Sequence, residues 1–180
     1  YDIQLKALSV ITTPGVYVIE APMGMGKTEA ALGAAYQLLC AGESKGIYFA
    51  LPTQATSNRI HFRLDDFLRK ISPESPSAKL IHGNSWLMTT ESDFVEKISE
   101  KNGRDWFASA KKALVAPFGV GTIDQALLGV VAAKHFFVRH FALAGKVVIL
   151  DEVHSYDKYT GTLIEKLIAA LEQLGCTIII

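Results

Sequence analysis

Short runs of apolar residues alternate along the chain with longer segments in which apolar residues recur at helical spacing. The runs are rich in β-branched and aromatic residues, which is typical of strands buried on both faces of a parallel sheet. Strands are predicted at residues 16–19, 47–51, 79–82, 114–116, 147–150 and 177–180. Helices are predicted between them at residues 27–41, 55–71, 122–133 and 158–174. This alternation predicts an α/β fold, in which a parallel sheet has helices on both faces.

The same pattern indicates how the domain is organised. We expect residues 1–180 to form one domain, because 180 residues is an ordinary domain size and the chain has no internal repeat. Residues 84–112 are more polar and mixed in character, and we expect them to form a helical insertion. The chain begins at Tyr1 rather than at a methionine and ends on an apolar run at Ile180. We therefore expect it to be an excerpt from a longer polypeptide.

Composition and charge exclude several classes of protein. Apolar residues make up 49% of the chain, which excludes intrinsic disorder for most of it. The 18 basic and 18 acidic residues cancel, so neither a basic nucleic-acid coat nor a polybasic membrane anchor is expected. No apolar run approaches the roughly 18–20 residues of a membrane helix. Cys40 and Cys176 lie far apart, and we interpret both as reduced thiols of a cytoplasmic protein.

The strongest motif is Ala-Pro-Met-Gly-Met-Gly-Lys-Thr at residues 21–28, between a predicted strand and a predicted helix. A phosphate-binding loop requires this context, because glycines let successive N–H groups face phosphate oxygens and the helix adds its positive dipole end. Lys27 is expected to reach the β- and γ-phosphates, and the Thr28 hydroxyl to bind Mg²⁺. The other residues expected to bind the nucleotide are Pro22, Met23, Gly24, Met25 and Gly26. The common pattern begins with glycine rather than Ala21, and a glycine-rich turn without a ligand is the alternative.

A second motif follows the predicted strand at 147–150, where two carboxylates, Asp151 and Glu152, are adjacent. Ligands of open α/β sheets bind beyond the carboxyl ends of the strands, so this pair is expected beside the phosphate-binding loop. Asp151 is suited to hold Mg²⁺ through water, and Glu152 to orient and deprotonate an attacking water. His154 is a candidate sensor of the γ-phosphate. Without the loop, the same residues would be read as an exposed acidic turn.

Two further polar segments follow predicted strands and are candidates to bind nucleic-acid phosphates. Thr53, Gln54 and Arg59 lie around the start of the helix that follows strand 47–51, although Thr53 alone would explain the segment as a helix cap. Thr122 begins a later helix and forms with Gln125 the S/T-x-x-E/Q pattern of a capping box, which needs no ligand.

Gln4 precedes the phosphate-binding loop by 17 residues. Its amide offers one donor group and one acceptor, the pair that reads an adenine edge. A glutamine near a chain terminus is otherwise usually solvated. Neither the histidines nor the cysteines have the spacing of a metal site, and the chain has no His-Asp pair, so a zinc enzyme or a nuclease has no support.

The order of these motifs resembles the first RecA-like domain of superfamily 2 helicases. More narrowly, it resembles the CRISPR-associated helicase–nuclease of type I interference systems. The resemblance covers nearly the whole chain and rests on Gln4 and the blocks at residues 21–28, 51–59, 120–125 and 150–157. The resemblance implies a RecA-like P-loop NTPase fold. It also implies a DExH-type helicase that binds ATP and Mg²⁺.

The family resemblance also implies roles for individual residues. Gln4 would contact adenine, the loop would hold ATP through Lys27, and Asp151 and Glu152 would be the magnesium and water-activating pair. Four residues would lie on the path of single-stranded DNA, namely Thr53, Gln54, Arg59 and Thr122.

At the level of the whole protein, the resemblance implies a motor that pulls single-stranded DNA 3′ to 5′ after a Cascade surveillance complex opens the target. An HD nuclease domain and a second RecA-like domain would act in the same polypeptide, and both are absent from these 180 residues. The chain alone is therefore expected to bind ATP weakly and to hydrolyse it poorly. Two alternatives stay open, namely a DExH RNA helicase domain and a nucleotide-gated binding module without motor activity.

Overall fold

The structure, a computed structural model, contains one sheet flanked by helices. It describes residues 2–52, 54–71, 81–82, 114–131, 136–153 and 156–180, with the backbone alone at 54–59, 61–62, 65, 81–82 and 136. The helices are α1 (Asp2–Val10), α2 (Lys27–Cys40), α3 (Gln54–Ile71), α4 (Ile123–Leu127), α5 (Phe136–Leu143) and α6 (Lys158–Gln173). The strands are β1 (Val16–Tyr17), β2 (Ile47–Leu51), β3 (Ile81–His82), β4 (Phe118–Thr122), β5 (Val147–Leu150) and β6 (Thr177–Ile179).

Every pair of neighbouring strands in the sheet is parallel, and the strand order is β1-β6-β5-β2-β4-β3. In β2, Ala50 pairs with Leu150 of β5 on one side and with Gly121 of β4 on the other. Because all strands run in one direction, the segments that follow them leave at the same edge of the sheet. The prediction of an α/β fold with a parallel sheet is confirmed.

Each face of the sheet buries its own hydrophobic core. Successive side chains of a strand point to opposite faces, and β2 shows the division. Phe49 belongs to the core covered by α1, α2 and α3, whereas Tyr48 belongs to the core covered by α4, α5 and α6. Both side chains are fully buried. Full burial of one large apolar side chain stabilises a fold by about 1.5–3 kcal/mol.

The strand predicted at residues 114–116 is wrong. Residues 114–115 form a helical turn, and the strand of this region is β4, which follows it. The two glycines of β4 weaken its sequence signal, but the packing requires Gly121. A Cβ atom there would lie 2.5 Å from the Tyr48 hydroxyl oxygen. That hydroxyl donates to the carbonyl oxygen of Thr122 at 3.1 Å, and burial raises the pKa of Tyr48 well above its usual value.

Most other predicted elements agree with the structure to within a few residues. The helix predicted at 122–133 is shorter, since α4 ends at Leu127 and turns follow it as far as residue 131. The hydrophobic pattern does not predict α1. The expected helical insertion at 84–112 lies outside the described residues. In the ranges that the structure describes, no helix is both long and apolar enough to cross a membrane.

Candidate nucleotide-binding site

A cleft of about 880 Å³ opens at the carboxyl edge of the sheet. It lies where the segments that follow β1, β5 and β6 leave their strands. Most of the residues expected to handle the nucleotide line it, namely Gln4, Met23, Gly24, Gly26, Lys27, Thr28, Asp151 and Glu152. Pro22 and Met25 belong to the same loop but are not among the residues that line the cleft. The fold therefore brings together the two motifs that are about 125 residues apart in the sequence.

The phosphate-binding loop owes its path to two glycines in the left-handed region. Gly24 has φ 78° and Gly26 has φ 79°, values that side chains disfavour. Gly26 is the N-cap of α2 and has no side chain with which to satisfy the first turn. The N–H groups at the start of α2 therefore suit an anion, as does the positive end of the helix dipole.

The Lys27 ammonium group lies across this loop. Its Nζ donates to the carbonyl oxygen of Ala21 at 2.5 Å and to that of Pro22 at 3.4 Å. The side chain is half-buried and lines the cleft. The positive charge is thus held beside the N-terminus of α2, where two features that attract a phosphate coincide.

The acidic pair stands at the end of β5. The Asp151 amide donates to the carbonyl oxygen of Ala50 at 3.1 Å, which extends the parallel pairing by one residue. Glu152 then turns the chain with φ 54°, a left-handed conformation that costs an ordinary residue about 1–2 kcal/mol. Its amide donates to Oδ1 of Asp151 at 3.0 Å. Strained backbone of this kind clusters at functional sites.

A tyrosine hydroxyl lies within electrostatic range of Glu152. Burial, followed by the charges of Asp124 and Glu152, raises the pKa of Tyr156 to about 12. The hydroxyl oxygen is buried and has no hydrogen-bond partner among the residues that the structure describes. The Tyr156 phenol therefore stays neutral to a higher pH than an exposed tyrosine does. The sequence reading missed this residue.

Gln4 reaches the loop from α1. A Cβ atom built on Gly26 would lie 2.6 Å from Nε2 of Gln4, so the amide packs directly against the loop backbone. Gln4 therefore lies at the cleft, and its expected contact with adenine stays a prediction. His154, the expected sensor of the γ-phosphate, lies outside the described residues.

The expected nucleic-acid residues are described only in part. Thr53 lies outside the described residues, and Gln54 and Arg59 are described by their backbone in the first half of α3. Thr122 ends β4, where it pairs with Leu51 of β2. The capping box predicted for Thr122 is wrong, because this residue occupies the N-cap position of α4 but its hydroxyl makes no capping hydrogen bond. The starts of α3 and α4 nevertheless lie at the same edge as the cleft.

The cleft is also lined by charged residues that the sequence did not predict there, and two of them, on neighbouring helices, form an ion pair. Arg63 of α3 and Glu29 of α2 approach each other, with Nη1 3.6 Å from Oε1. The sequence holds a signal for Glu29, since it follows Thr28 directly. Nothing in the sequence places Arg63 there, because the contact depends on how the two helices pack.

A metal ion that accompanies a nucleotide would find suitable donors here. Thr28 offers a hydroxyl oxygen and Asp151 a carboxylate, which are the hard ligands that Mg²⁺ prefers. The described part of the chain contains no group of three or more His, Cys, Asp or Glu residues that could hold a metal ion. The hydroxyl and the carboxylate suit a magnesium ion that keeps several waters and binds phosphate oxygens.

Comparison with known proteins shows the family of the chain. The DEAD/DEAH box helicase family model matches residues 1–179. The chain belongs to that family. It is 42% identical over 179 residues to the CRISPR-associated endonuclease/helicase Cas3 of Thermus thermophilus, and 35% identical over 188 residues to that of Escherichia coli K12. The alignments cover 93% and 99% of this chain but only 20% and 21% of the two relatives.

Solved structures give the same result. The crystal structure of T. fusca Cas3-ATP is 37% identical with a TM-score of 0.80, covering 98% of this chain and 20% of that chain. A CRISPR RNA-guided surveillance complex, pre-nicking, contains a chain that is 35% identical with a TM-score of 0.68, covering 98% of this chain and 17% of that chain. The resemblance to the first RecA-like domain of CRISPR-associated helicase–nucleases is confirmed. The chain spans about a fifth of the length of these Cas3 proteins.

Proposed function

We propose that this chain is the ATP-binding half of an ATP-dependent single-stranded DNA translocase that acts in CRISPR interference. The observation that carries the proposal is the convergence of Gln4, Lys27, Thr28, Asp151 and Glu152 on one cleft. A cleft without these groups would suit many ligands, whereas this set matches the separate needs of a base, a triphosphate, a metal ion and an attacking water.

The loop and the start of α2 bind the triphosphate in this proposal. Lys27 exchanges its bonds to the loop carbonyls for phosphate oxygens, and backbone N–H groups around Gly24 and Gly26 bind the rest. Pro22, Met23 and Met25 of the loop also contact the bound ATP. Thr28 and Asp151 hold Mg²⁺, whose role is to neutralise charge that develops on the phosphates. Gln4 contacts the adenine edge.

Glu152 activates the water in this proposal. Its position beside Asp151 at the end of β5 sets it in the cleft, and its carboxylate orients and deprotonates a water for attack on the γ-phosphorus. His154 follows in the sequence and senses the γ-phosphate. Most of the acceleration comes from positioning and charge stabilisation, which is general for phosphoryl transfer.

Nucleic acid runs across the neighbouring strand ends. Thr53, Gln54 and Arg59 around the start of α3, and Thr122 at the end of β4, contact the backbone of single-stranded DNA. Contacts to phosphates carry no sequence information, which suits a motor that moves along any strand. Movement is 3′ to 5′ in this proposal.

The full-length protein contributes the remaining parts. An HD nuclease domain and a second RecA-like domain act in the same polypeptide, and a Cascade-type surveillance complex supplies the opened target in the cytoplasm. ATP lies between the two RecA-like domains. The 180-residue chain alone therefore binds ATP weakly and turns it over slowly, because charge-stabilising arginines from a partner domain are worth several orders of magnitude in comparable sites.

The test is ATP hydrolysis by the full-length protein with single-stranded DNA, with single-stranded RNA, and without either. Stimulation by DNA alone supports the proposal. Stimulation by RNA alone would favour a DExH RNA helicase, and stimulation by neither would favour a nucleotide-gated binding module.

Matched variants connect the activity to the cleft. Lys27→Ala should abolish ATP binding and turnover, whereas Lys166→Ala, at an exposed position of α6, should change neither. Glu152→Gln should abolish turnover but retain ATP binding, and Glu165→Gln on α6 is its control. Full turnover by Glu152→Gln would contradict the assigned role of Glu152.

A further inference from the structure

An ion pair joins the helix that begins at the phosphate-binding loop to the helix that begins at the expected nucleic-acid segment. Arg63 Nη1 of α3 lies 3.6 Å from Glu29 Oε1 of α2, and both side chains line the cleft. Neither residue takes part in the chemistry proposed above. Their position between two functional segments is what needs an explanation.

Glu29 lies immediately behind the loop. It follows Thr28 in the first turn of α2, and its Oε2 is 3.7 Å from the position that a Cβ atom on Gly26 would take. A triphosphate in the loop would therefore repel the Glu29 carboxylate and attract the Arg63 guanidinium. The balance of the pair would depend on whether the loop holds a nucleotide.

Arg63 lies on the same rigid helix as the expected nucleic-acid residues. It is nine residues after Gln54, which corresponds to about 14 Å along α3. A change in its contacts would act on the whole helix, because α3 packs on the sheet through fully buried side chains at Leu64 and Leu68. A small displacement near Arg63 would thus reach the start of α3.

A second contact between the same helices makes this connection stiff. The rings of Tyr36 in α2 and Phe67 in α3 meet edge to face, with centroids 6.0 Å apart and an interplanar angle of 89°. Phe67 is one helical turn after Arg63, and Tyr36 is two turns after Glu29. The aromatic contact holds the two helices together. The ion pair lies between this contact and the ends of the helices that meet the phosphate-binding loop and the expected nucleic-acid segment.

Stability does not account for the ion pair. The side chains of Arg63 and Glu29 are 59% and 51% exposed, respectively. Ion pairs exposed to this extent contribute little to folding. Substitution of either residue should leave the fold intact, so a change in activity can be assigned to the lost ion pair rather than to unfolding.

We propose that Glu29 and Arg63 act as a pair of positioning residues that couples nucleotide binding at the loop to the grip of α3 on nucleic acid. This inference rests on the proposed function. The pair neither binds the transferred phosphate nor activates the water. It sets the position of α3 according to the state of the loop.

A double-mutant cycle on the full-length protein tests the coupling. ATP hydrolysis is measured with and without saturating single-stranded DNA for wild type, Glu29→Gln, Arg63→Gln and the double variant. Each single substitution should lower the stimulation by DNA by roughly two- to thirtyfold, the range of coupling energies for residues between two sites. The double variant should be no worse than either single variant, because residues that act as one unit are not additive.

Two controls accompany the cycle. KM for ATP without DNA should change less than about twofold in these variants. Lys70→Gln, exposed on the same helix, should behave as wild type.

Each other outcome has a definite meaning. Additive losses, or unchanged stimulation in both single variants, would overturn the coupling while leaving the proposed function in place. A large increase in KM for ATP in Arg63→Gln alone would overturn it too, since Arg63 would then contact the nucleotide directly. Wild type that no nucleic acid stimulates would overturn the proposed function itself.

Discussion

The amide of Gln4 lies against the backbone of Gly26, so that a Cβ atom on residue 26 would stand 2.6 Å from Nε2. This contact fixes α1 to the phosphate-binding loop, although the two residues are 22 positions apart. Gly26 also has φ 79°, in the left-handed region. The left-handed φ favours glycine at this position, and a methyl group there would push the end of the Gln4 side chain away from the loop.

Gly26→Ala should lower the affinity for ATP by at least about tenfold, because the new methyl group displaces Gln4 and the backbone is strained. The folded chain should also lose about 1 kcal/mol of stability from the strain alone. Titration with ATP and urea unfolding of the variant measure the two effects.

Gly42→Ala is the matched control for Gly26→Ala. Gly42 follows α2 with φ 76°, but nothing lies within 4 Å of its Cβ position. This variant should lose a similar stability from strain and bind ATP as wild type does. Equal losses of ATP affinity in both variants would show that the contact with Gln4 has no role.

Lys146 provides a prediction of pH dependence at the opposite edge of the sheet. Its buried Nζ donates to the carbonyl oxygens of Leu114 at 2.5 Å and Ala116 at 2.6 Å. Burial lowers the pKa of Lys146 to about 8. The unfolded chain keeps the ordinary value, so between about pH 8 and 10.5 it binds more protons than the native state. The contribution of Lys146 to the free energy of unfolding should therefore rise with pH in this window, by at most about 1.4 kcal/mol per pH unit.

The comparison with Lys146→Met isolates this effect from other titrating groups. Urea unfolding at pH 7.5, 8.5 and 9.5 should show wild type gaining stability relative to the variant as the pH rises. Lys166→Met, at an exposed position of α6, should show a constant difference. A constant difference for Lys146→Met as well would mean that its pKa is not lowered in the native state.

Thr177 is a polar side chain in the core of the sheet. It is 1% exposed in β6, and its hydroxyl has no hydrogen-bond partner among the described residues. Thr177→Val keeps the shape and removes a hydroxyl that loses its hydration on folding, so the free energy of unfolding should rise by about 1 kcal/mol. Thr162→Val is the control, because that exposed hydroxyl donates to the carbonyl oxygen of Lys158 at 3.1 Å. The Thr162→Val variant should not be more stable than wild type. A loss of stability in Thr177→Val would instead indicate that the Thr177 hydroxyl makes a hydrogen bond.

The fold class could be predicted from sequence because its central parts have strong local signals. The buried runs of β2 and β5 are continuous, and α6 carries a regular apolar stripe that ends before Gly175. The two motifs of the cleft could be predicted equally well, since Lys27 ends a glycine-rich loop between a strand and a helix and Asp151 directly follows a strand. Because the carboxyl ends of parallel strands lie at one edge of the sheet, the predicted fold alone places the two motifs together.

The parts that sequence could not supply depend on packing between distant segments. In β4, Gly121 is a glycine because Tyr48 fills the space beside it, and the sequence shows only the low strand propensity that results. The ion pair of Glu29 and Arg63 requires two helices to pack side by side on one face of the sheet. No periodicity or spacing in the sequence indicates either of these two contacts.

The backbone of Glu152 yields a prediction that separates its chemical role from its conformation. With φ 54°, residue 152 adopts a conformation that glycine accepts and alanine resists. Glu152→Gly and Glu152→Ala both remove the carboxylate, so both should abolish ATP turnover. The glycine variant should nevertheless be more stable than the alanine variant by about 0.5–1 kcal/mol in urea unfolding, after the entropy that glycine adds to the unfolded chain. At Glu165, within α6, the order should reverse, because alanine exceeds glycine by about 1 kcal/mol in a helix. The same order at both positions would mean that residue 152 leaves the left-handed region when its side chain is removed, and the strain would then be a consequence of the Glu152 carboxylate's own contacts.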